Sequence, residues 1–238
     1  MIDNTAVDRA RIVYYGLFAS AFAFRFGKQE FEILKNAVRT LNEAPIDEPS
    51  AEALAGMQDF IGQHGFQGVR DESDQVFYSP VTSHLPMTAS FYYENRDDGS
   101  QRVAMIDYLL KSPFRKNSGS FQENEDHIEF ILLFIQHLIE DSLKEKPESA
   151  SLAGEVFADI LNGMIDLFAD NVFRHEKSVF YRHTAALFHS FADIERQVFG
   201  LDRPQNIAVK DMMRQDLRKE KLPPRQMQTR NFEEFDSI

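Results

Sequence analysis

The sequence predicts an all-α protein: a single helical domain of about seven to eight or more helices, followed by an extended C-terminal arm. Three observations predict it. Apolar residues recur at spacings of three and four through most of the first 200 residues, as one buried helix face requires. Prolines and glycines gather between these stretches. The one segment suited to a strand, Ser90–Tyr93, has no clear pairing partner elsewhere.

The elements follow in chain order. Residues 6–26 carry Val7, Ala10, Tyr14, Leu17, Phe18, Ala21 and Phe22 as a broad apolar stripe, and residues 29–42 repeat it with Phe31, Leu34, Val38 and Leu41. Pro45 and Pro49 break the chain, and Ser50 is placed to cap a helix holding Leu54, Met57 and Ile61. Gly62, Gly65 and Gly68 mark a loop, and a short helix over Glu72–Tyr78 stops before Pro80. Residues 80–99 read as a long connection with a turn. Ser100 caps a helix with Val103, Ile106, Leu109 and Leu110; Pro113 and Gly119 bound a second connection over 112–123. Asn124 is placed to cap the helix of Ile128, Ile131, Leu132, Ile135, Leu138 and Ile139. Ser149 or Ser151 opens the next, with Val156, Phe157, Ile160, Met164 and Phe168. A last one runs from about Phe173 to Phe199.

Charge divides the chain. Residues 1–200 hold 18 Lys and Arg against 31 Asp and Glu, whereas residues 201–238 hold 8 against 7. The domain of 1–200 is therefore the acidic part. The tail of 201–238, with Pro204 and Pro223-Pro224 and few large apolar residues, reads as extended or partly disordered, with one short helix at 211–222.

Composition excludes several functions. The chain of 238 residues has no cysteine, which rules out disulfides, thiolate metal sites and cysteine nucleophiles and suits a reducing cytoplasm. A net charge of −12 opposes nucleic-acid binding, which needs cations to displace counterions, and suits a basic peptide. The longest apolar run, Phe130–Ile135, is six residues, far below the ~20 that span a bilayer, so stable membrane insertion is not expected. No basic segment followed by an apolar stretch opens the chain, so no secretory leader is expected. A di-iron bundle needs two Glu-x-x-His motifs; here His137-x-x-Glu140 occurs once and reversed. A metal-binding or enzymatic bundle built on His127, His137 and His175 has no supporting motif. Phosphate-cradling and serine-nucleophile motifs are absent. No catalytic and no metal-ligating residue is assigned.

One cluster stands out: Glu123-Asn124-Glu125-Asp126-His127 at the start of a strongly apolar helix. Carboxylates there oppose the positive end of the helix dipole, which accounts for the acids. It does not account for His127, since a protonated His is unfavourable at that end.

Residues Gln75–Leu138 resemble the TorD/DmsD/NarJ family of redox-enzyme maturation chaperones. Three pieces carry the resemblance in order. Val76-Phe77-Tyr78-Ser79-Pro80 is similar to the family's apolar-Phe-x-Gly-Pro turn, and Leu85-Pro86-Met87-Thr88-Ala89-Ser90-Phe91-Tyr92 to its Pro-x-x-Ser-x-Tyr segment. The Glu123–His127 cluster is similar to its Glu-Pro-x-Asp-His motif. The chain departs from the pattern with Ser79 for Gly, Asn124 for Pro and Met87 for Trp; it has no Trp and 22 Phe.

The resemblance implies an all-helical, cytoplasmic, non-enzymatic chaperone. Its partner would be the twin-arginine signal peptide and catalytic subunit of a molybdenum or tungsten oxidoreductase, or in the NarJ branch the N-terminus of a nitrate reductase subunit. It would assist cofactor insertion and prevent premature export. It needs no cofactor, although the resemblance extends to weak guanine-nucleotide binding, and it implies a monomer or a domain-swapped homodimer. On this reading Asp126, with Glu123 or Glu125, pairs the arginines, and His127 orients the loop or contacts peptide backbone. Phe77, Tyr78, Met87, Phe91 and Tyr92 line the apolar part, and Pro86 and Ser90 complete the peptide-binding set. The alternative is an acidic helical adaptor that docks a partner helix without an export role.

Overall fold

The structure, a computed structural model, describes residues 4–204 except 120 and 145. Among them are nine α-helical segments: α1 (Asn4–Ala21), α2 (Lys28–Leu41), α3 (Glu48–Ser73), α4 (Ala89–Glu94), α5 (Ser100–Lys111), α6 (Ile128–Ser142), α7 (Pro147–Val156), α8 (Asn162–Arg174) and α9 (Phe180–Phe199). A π turn at Phe157–Leu161 joins α7 to α8 without a break, so the segments form eight rods. No strand is present among the described residues, and none of the described helices is long and apolar enough to cross a membrane. The expected arm beyond residue 204, with its helix at 211–222, lies outside the described residues; 201–204 follow α9 without regular structure.

Helix α1 is the axis. From Tyr14 to Ala23 every residue is buried, because α2, α6 and α9 pack around it and a helix apolar on all sides must be enclosed. Phenylalanine fills this centre in place of tryptophan. Phe22 meets Phe168 edge-on at 4.9 Å, and Phe18 lies 4.5 Å from Phe188, distances at which such pairs attract beyond their area burial. Helix α6 runs antiparallel to α1: Glu129 lies beside Phe24, and Gln136 two turns on lies against Gly16. Helices α3, α8 and α9 close the other side.

Polar groups anchor the rods. Arg11 of α1 donates Nε to Glu195 Oε1 (2.6 Å) and a terminal nitrogen to Oε2 (2.8 Å), and Tyr15 also donates to Oε2 (2.6 Å); all three residues are buried. Glu72 of α3 accepts from the N–H groups of Val179, Phe180 and Tyr181 at 2.8, 3.0 and 2.9 Å. It thereby caps α9 from a distant part of the chain, satisfying donors that the helix start leaves unpaired.

Several expectations are corrected. The glycines at 62–68 do not form a loop: α3 continues through them, kinked where Gly65 takes φ 60° and ψ −159°, a conformation open to glycine alone at little cost. Asp47, not Ser50, caps α3, and Ser50 returns the bond as third residue of a reciprocal box. The expected short helix at 72–78 is the end of α3 passing into a π turn at Asp74–Tyr78. The connection at 80–99 contains α4, so Ser90–Tyr93 is helical rather than extended. Gly99 takes the cap position assigned to Ser100, and α7 begins at Pro147 rather than at Ser149 or Ser151. The expected helix of 173–199 is divided: α8 ends at Arg174, and Ser178 Oγ donates to the Val172 carbonyl at 2.6 Å across the turn before α9.

Candidate functional site

The two most distinctive sequence pieces meet in space. Residues 87–89 and 126–128 lie antiparallel, with a bridge between Thr88 and His127. Ala89 N–H donates to the Asp126 carbonyl and Ile128 N–H to the Met87 carbonyl, both at 2.8 Å. This pairing positions α4. Asp126 Oδ2 accepts from Ser90 N–H at 2.9 Å and from the Ser90 hydroxyl at 2.5 Å, capping α4 from outside its own chain segment. Asp126 is fully buried, and its Oδ1 has no hydrogen-bond partner. The carboxylate expected to pair arginines thus sits inside the fold.

His127, not Asn124, caps α6: its Nδ1 accepts from Glu129 N–H at 3.3 Å, which puts the proton of the neutral ring on Nε2. Burial lowers its pKa to about 4. A neutral imidazole is compatible with the positive end of a helix dipole, which resolves the conflict that His127 posed in the sequence. Its ring meets Phe24 and Phe121 at 6.4 and 6.1 Å.

The remaining expected residues separate into two groups. Phe77 is a core residue, edge-on to Tyr181 at 4.8 Å. Tyr92 is buried, and its hydroxyl donates to the Pro86 carbonyl at 2.9 Å. Met87 and Ser90 are buried as well, and Phe91 is half-buried against Tyr92. Tyr78, by contrast, is 36% exposed and edge-on to Phe24 at 5.6 Å. Glu125 lies between Arg102 Nε (2.7 Å) and Lys116 Nζ (2.9 Å). Burial works to raise its carboxyl, but the two cations hold it below the usual range.

Glu123 has no ion-pair partner among the described residues. It joins two acids that sequence reasoning missed. Glu129, in the first turn of α6, accepts from Phe24 N–H at 2.8 Å; Glu30, in the first turn of α2, accepts from Gly27 N–H at 3.0 Å. Burial pushes the Glu129 pKa up to about 7, with the charges of Glu30 and Glu123 adding to it against the Phe24 hydrogen bond. Burial first, and then the charges of Glu129, Glu123 and Asp74, also raise the Tyr78 phenol. Three carboxyl groups without ion pairs, and the two rings of Phe24 and Tyr78, therefore share one surface. The available signal was an acid in the first turn of each of two helices; the turn after α1 that brings them together has no sequence mark. Among the described residues, no group of three His, Asp or Glu side chains is placed to hold a metal ion.

The fold is all-helical among the described residues, and two of the motif pieces meet within it. A crystal structure given as that of a redox enzyme maturation protein from Archaeoglobus fulgidus shares the fold with a TM-score of 0.52 at 20% identity, over 76% of this chain and 93% of that one. No curated protein matches. The family described as nitrate reductase delta subunit matches residues 43–173, and the chain belongs to it. This is a family of maturation chaperones for molybdoenzymes, not a catalytic enzyme family.

Proposed function

We propose that the protein is a cytoplasmic chaperone for the N-terminal twin-arginine signal peptide of a molybdenum or tungsten oxidoreductase. It holds the catalytic subunit while cofactor is inserted and so delays export; the nitrate reductase named in the family description is one candidate client. The observation that carries this reading is the surface of Glu30, Glu123 and Glu129, none of which has an ion-pair partner among the described residues, beside the exposed Tyr78. Carboxylates without cations attract guanidinium groups, and an aromatic face adds a cation–π contact. Asp126 and His127 act one layer beneath, fixing α4 and the start of α6.

Titration of a labelled signal peptide tests the reading. Glu123→Gln with Glu129→Gln should weaken binding by about tenfold or more, and replacing the paired arginines by glutamines should remove the difference between variant and wild type. Equal affinity of wild type for the arginine and glutamine peptides would favour the second reading, an adaptor docking a partner helix. The apolar stripe on α5 supports that one: Val103, Ile106 and Leu110 are 60, 37 and 65% exposed.

A further inference from the structure

Helix α5 has two apolar sides. Met105, Tyr108 and Leu109 are buried against the rest of the chain. Val103, Ile106 and Leu110 recur at spacings of three and four, so they share another face. That face is open to solvent, with Val103 and Leu110 exposed over more than half of their surface. Single exposed apolar residues are ordinary, but a run of them along one helix face marks a contact.

The charges beside the stripe point to its occupant. Arg102 flanks it on one side, and that charge is used within the chain: Arg102 binds Asp98 and Glu125, each at 2.7 Å. Asp107 and Lys111 flank it on the other side, at about 100° of turn per residue. Both are exposed, and neither has an ion-pair partner among the described residues. Four residues apart, they do not pair with one another; Lys111 lies over the Tyr108 ring at 4.9 Å instead. The open side of α5 therefore carries an apolar stripe, one unpaired acid and one unpaired base.

We propose that α5 packs antiparallel against α5 of a second copy of the chain, about a two-fold axis level with Leu109. In such an isologous contact the same patch serves on both sides. Two antiparallel helices related by this axis bring like flanks together, with their sequences running in opposite directions. Asp107 of one copy then meets Lys111 of the other, twice over, while Ile106 and Leu110 cover each other across the axis. A partner of one charge sign satisfies one of these groups and repels the other, whereas a second copy satisfies both. No element is exchanged between the copies, and none of Glu30, Glu123, Glu129 or Tyr78 is used, so the proposal is independent of the signal-peptide reading. One face of a helix of twelve residues, ~18 Å long, falls short of the ~800 Å² per partner of a standard interface. The dimer is accordingly one that forms at micromolar rather than nanomolar concentration.

Sedimentation equilibrium of the full chain from about 1 to about 300 µM tests this. Wild type should pass from monomer towards dimer across the range. Leu110→Asp, at an exposed position, should weaken the dimer by about tenfold or more. Asp107→Lys and Lys111→Asp should each weaken it as well, since each sets like charges across the axis. Mixed in equal amounts, these two charge variants should associate with each other more tightly than either does with itself, because each supplies the charge that the other lacks. A mixture that associates no better than its components overturns the pairing. A wild type that stays monomeric overturns it too and gives the stripe to a partner helix. So does a dimer indifferent to Leu110→Asp, as an exchange of segments between copies would be.

Discussion

Asp126 and Ser90, 36 residues apart in sequence, share two hydrogen bonds through one carboxylate oxygen. The motif pieces they belong to are thus halves of one structural joint, and the acid most conspicuous in the sequence serves the fold from inside it.

Removing that joint should be costly. Asp126→Ala leaves the Ser90 N–H and hydroxyl without their acceptor in a buried site, at about 1–3 kcal/mol for each unpaired group. Urea unfolding should show a loss of about 2–4 kcal/mol, with Asp126→Asn, which keeps an acceptor, losing less. An Asp126→Ala protein as stable as wild type would refute the joint.

Glu72 caps α9 with three N–H groups. Glu72→Ala should destabilise by about 2–4 kcal/mol. Hydrogen exchange at the amides of residues 179–181 should rise more than exchange in the middle of α9; uniform exchange would contradict the capping role.

The pair Arg11–Glu195 is buried, so breaking one side should cost more than removing both. Glu195→Ala leaves the buried Arg11 guanidinium with Asp8 (2.8 Å) in place of two carboxylate partners and should lose about 3 kcal/mol, whereas Arg11→Met with Glu195→Leu should lose less. A double-mutant cycle measures the difference; purely additive losses would show that the two residues do not interact.

Two residues apart, His127 and Glu129 give opposite pH dependences. Unfolded histidine protonates near 6.5, but buried His127 only near 4, so its contribution to stability is lost as pH falls through that window. Folded Glu129 keeps its proton up to about 7 against an ordinary 4.5. Its contribution is full below the lower value and is lost as pH rises through the upper one. Glu129→Gln should therefore flatten the decline in melting temperature between about pH 6 and pH 8, and leave the acid-side loss steeper. Ionised Glu129 also attracts arginine, so peptide affinity should grow over the same rise in wild type but not in Glu129→Gln. Matching pH profiles for the two proteins would exclude a titration of Glu129 in this range.

Helical periodicity made most of the rods legible, because burial of one face leaves a regular mark. What it missed had non-local causes. The aromatic, strand-like Ser90–Tyr93 becomes helical because Asp126 caps it, and nothing within the segment shows that. Gly62, Gly65 and Gly68 look like a loop, yet only Gly65 leaves the helical conformation, and helix resumes on either side of it. Of the site, Glu123 and Tyr78 were found from the motifs and remain accessible. Glu30 and Glu129 were not, since Glu129 is joined to the turn after α1 through the Phe24 backbone amide, and a backbone donor has no residue type to read.

The π turn at Phe157–Leu161 works as a phase shift. Each helical residue turns the chain by about 100°, and the wider turn inserts one residue into an otherwise continuous rod. Thus α7 faces α6 while α8 faces α4 and α9. The carbonyls of Asp159 and Ile160 take the Tyr93 hydroxyl at 3.0 and 3.1 Å. This part of the chain should consequently tolerate changes of side chain better than changes of length: deleting one residue there would rotate everything after it by about 100° and turn Phe168 away from the aromatic centre it shares with Phe22.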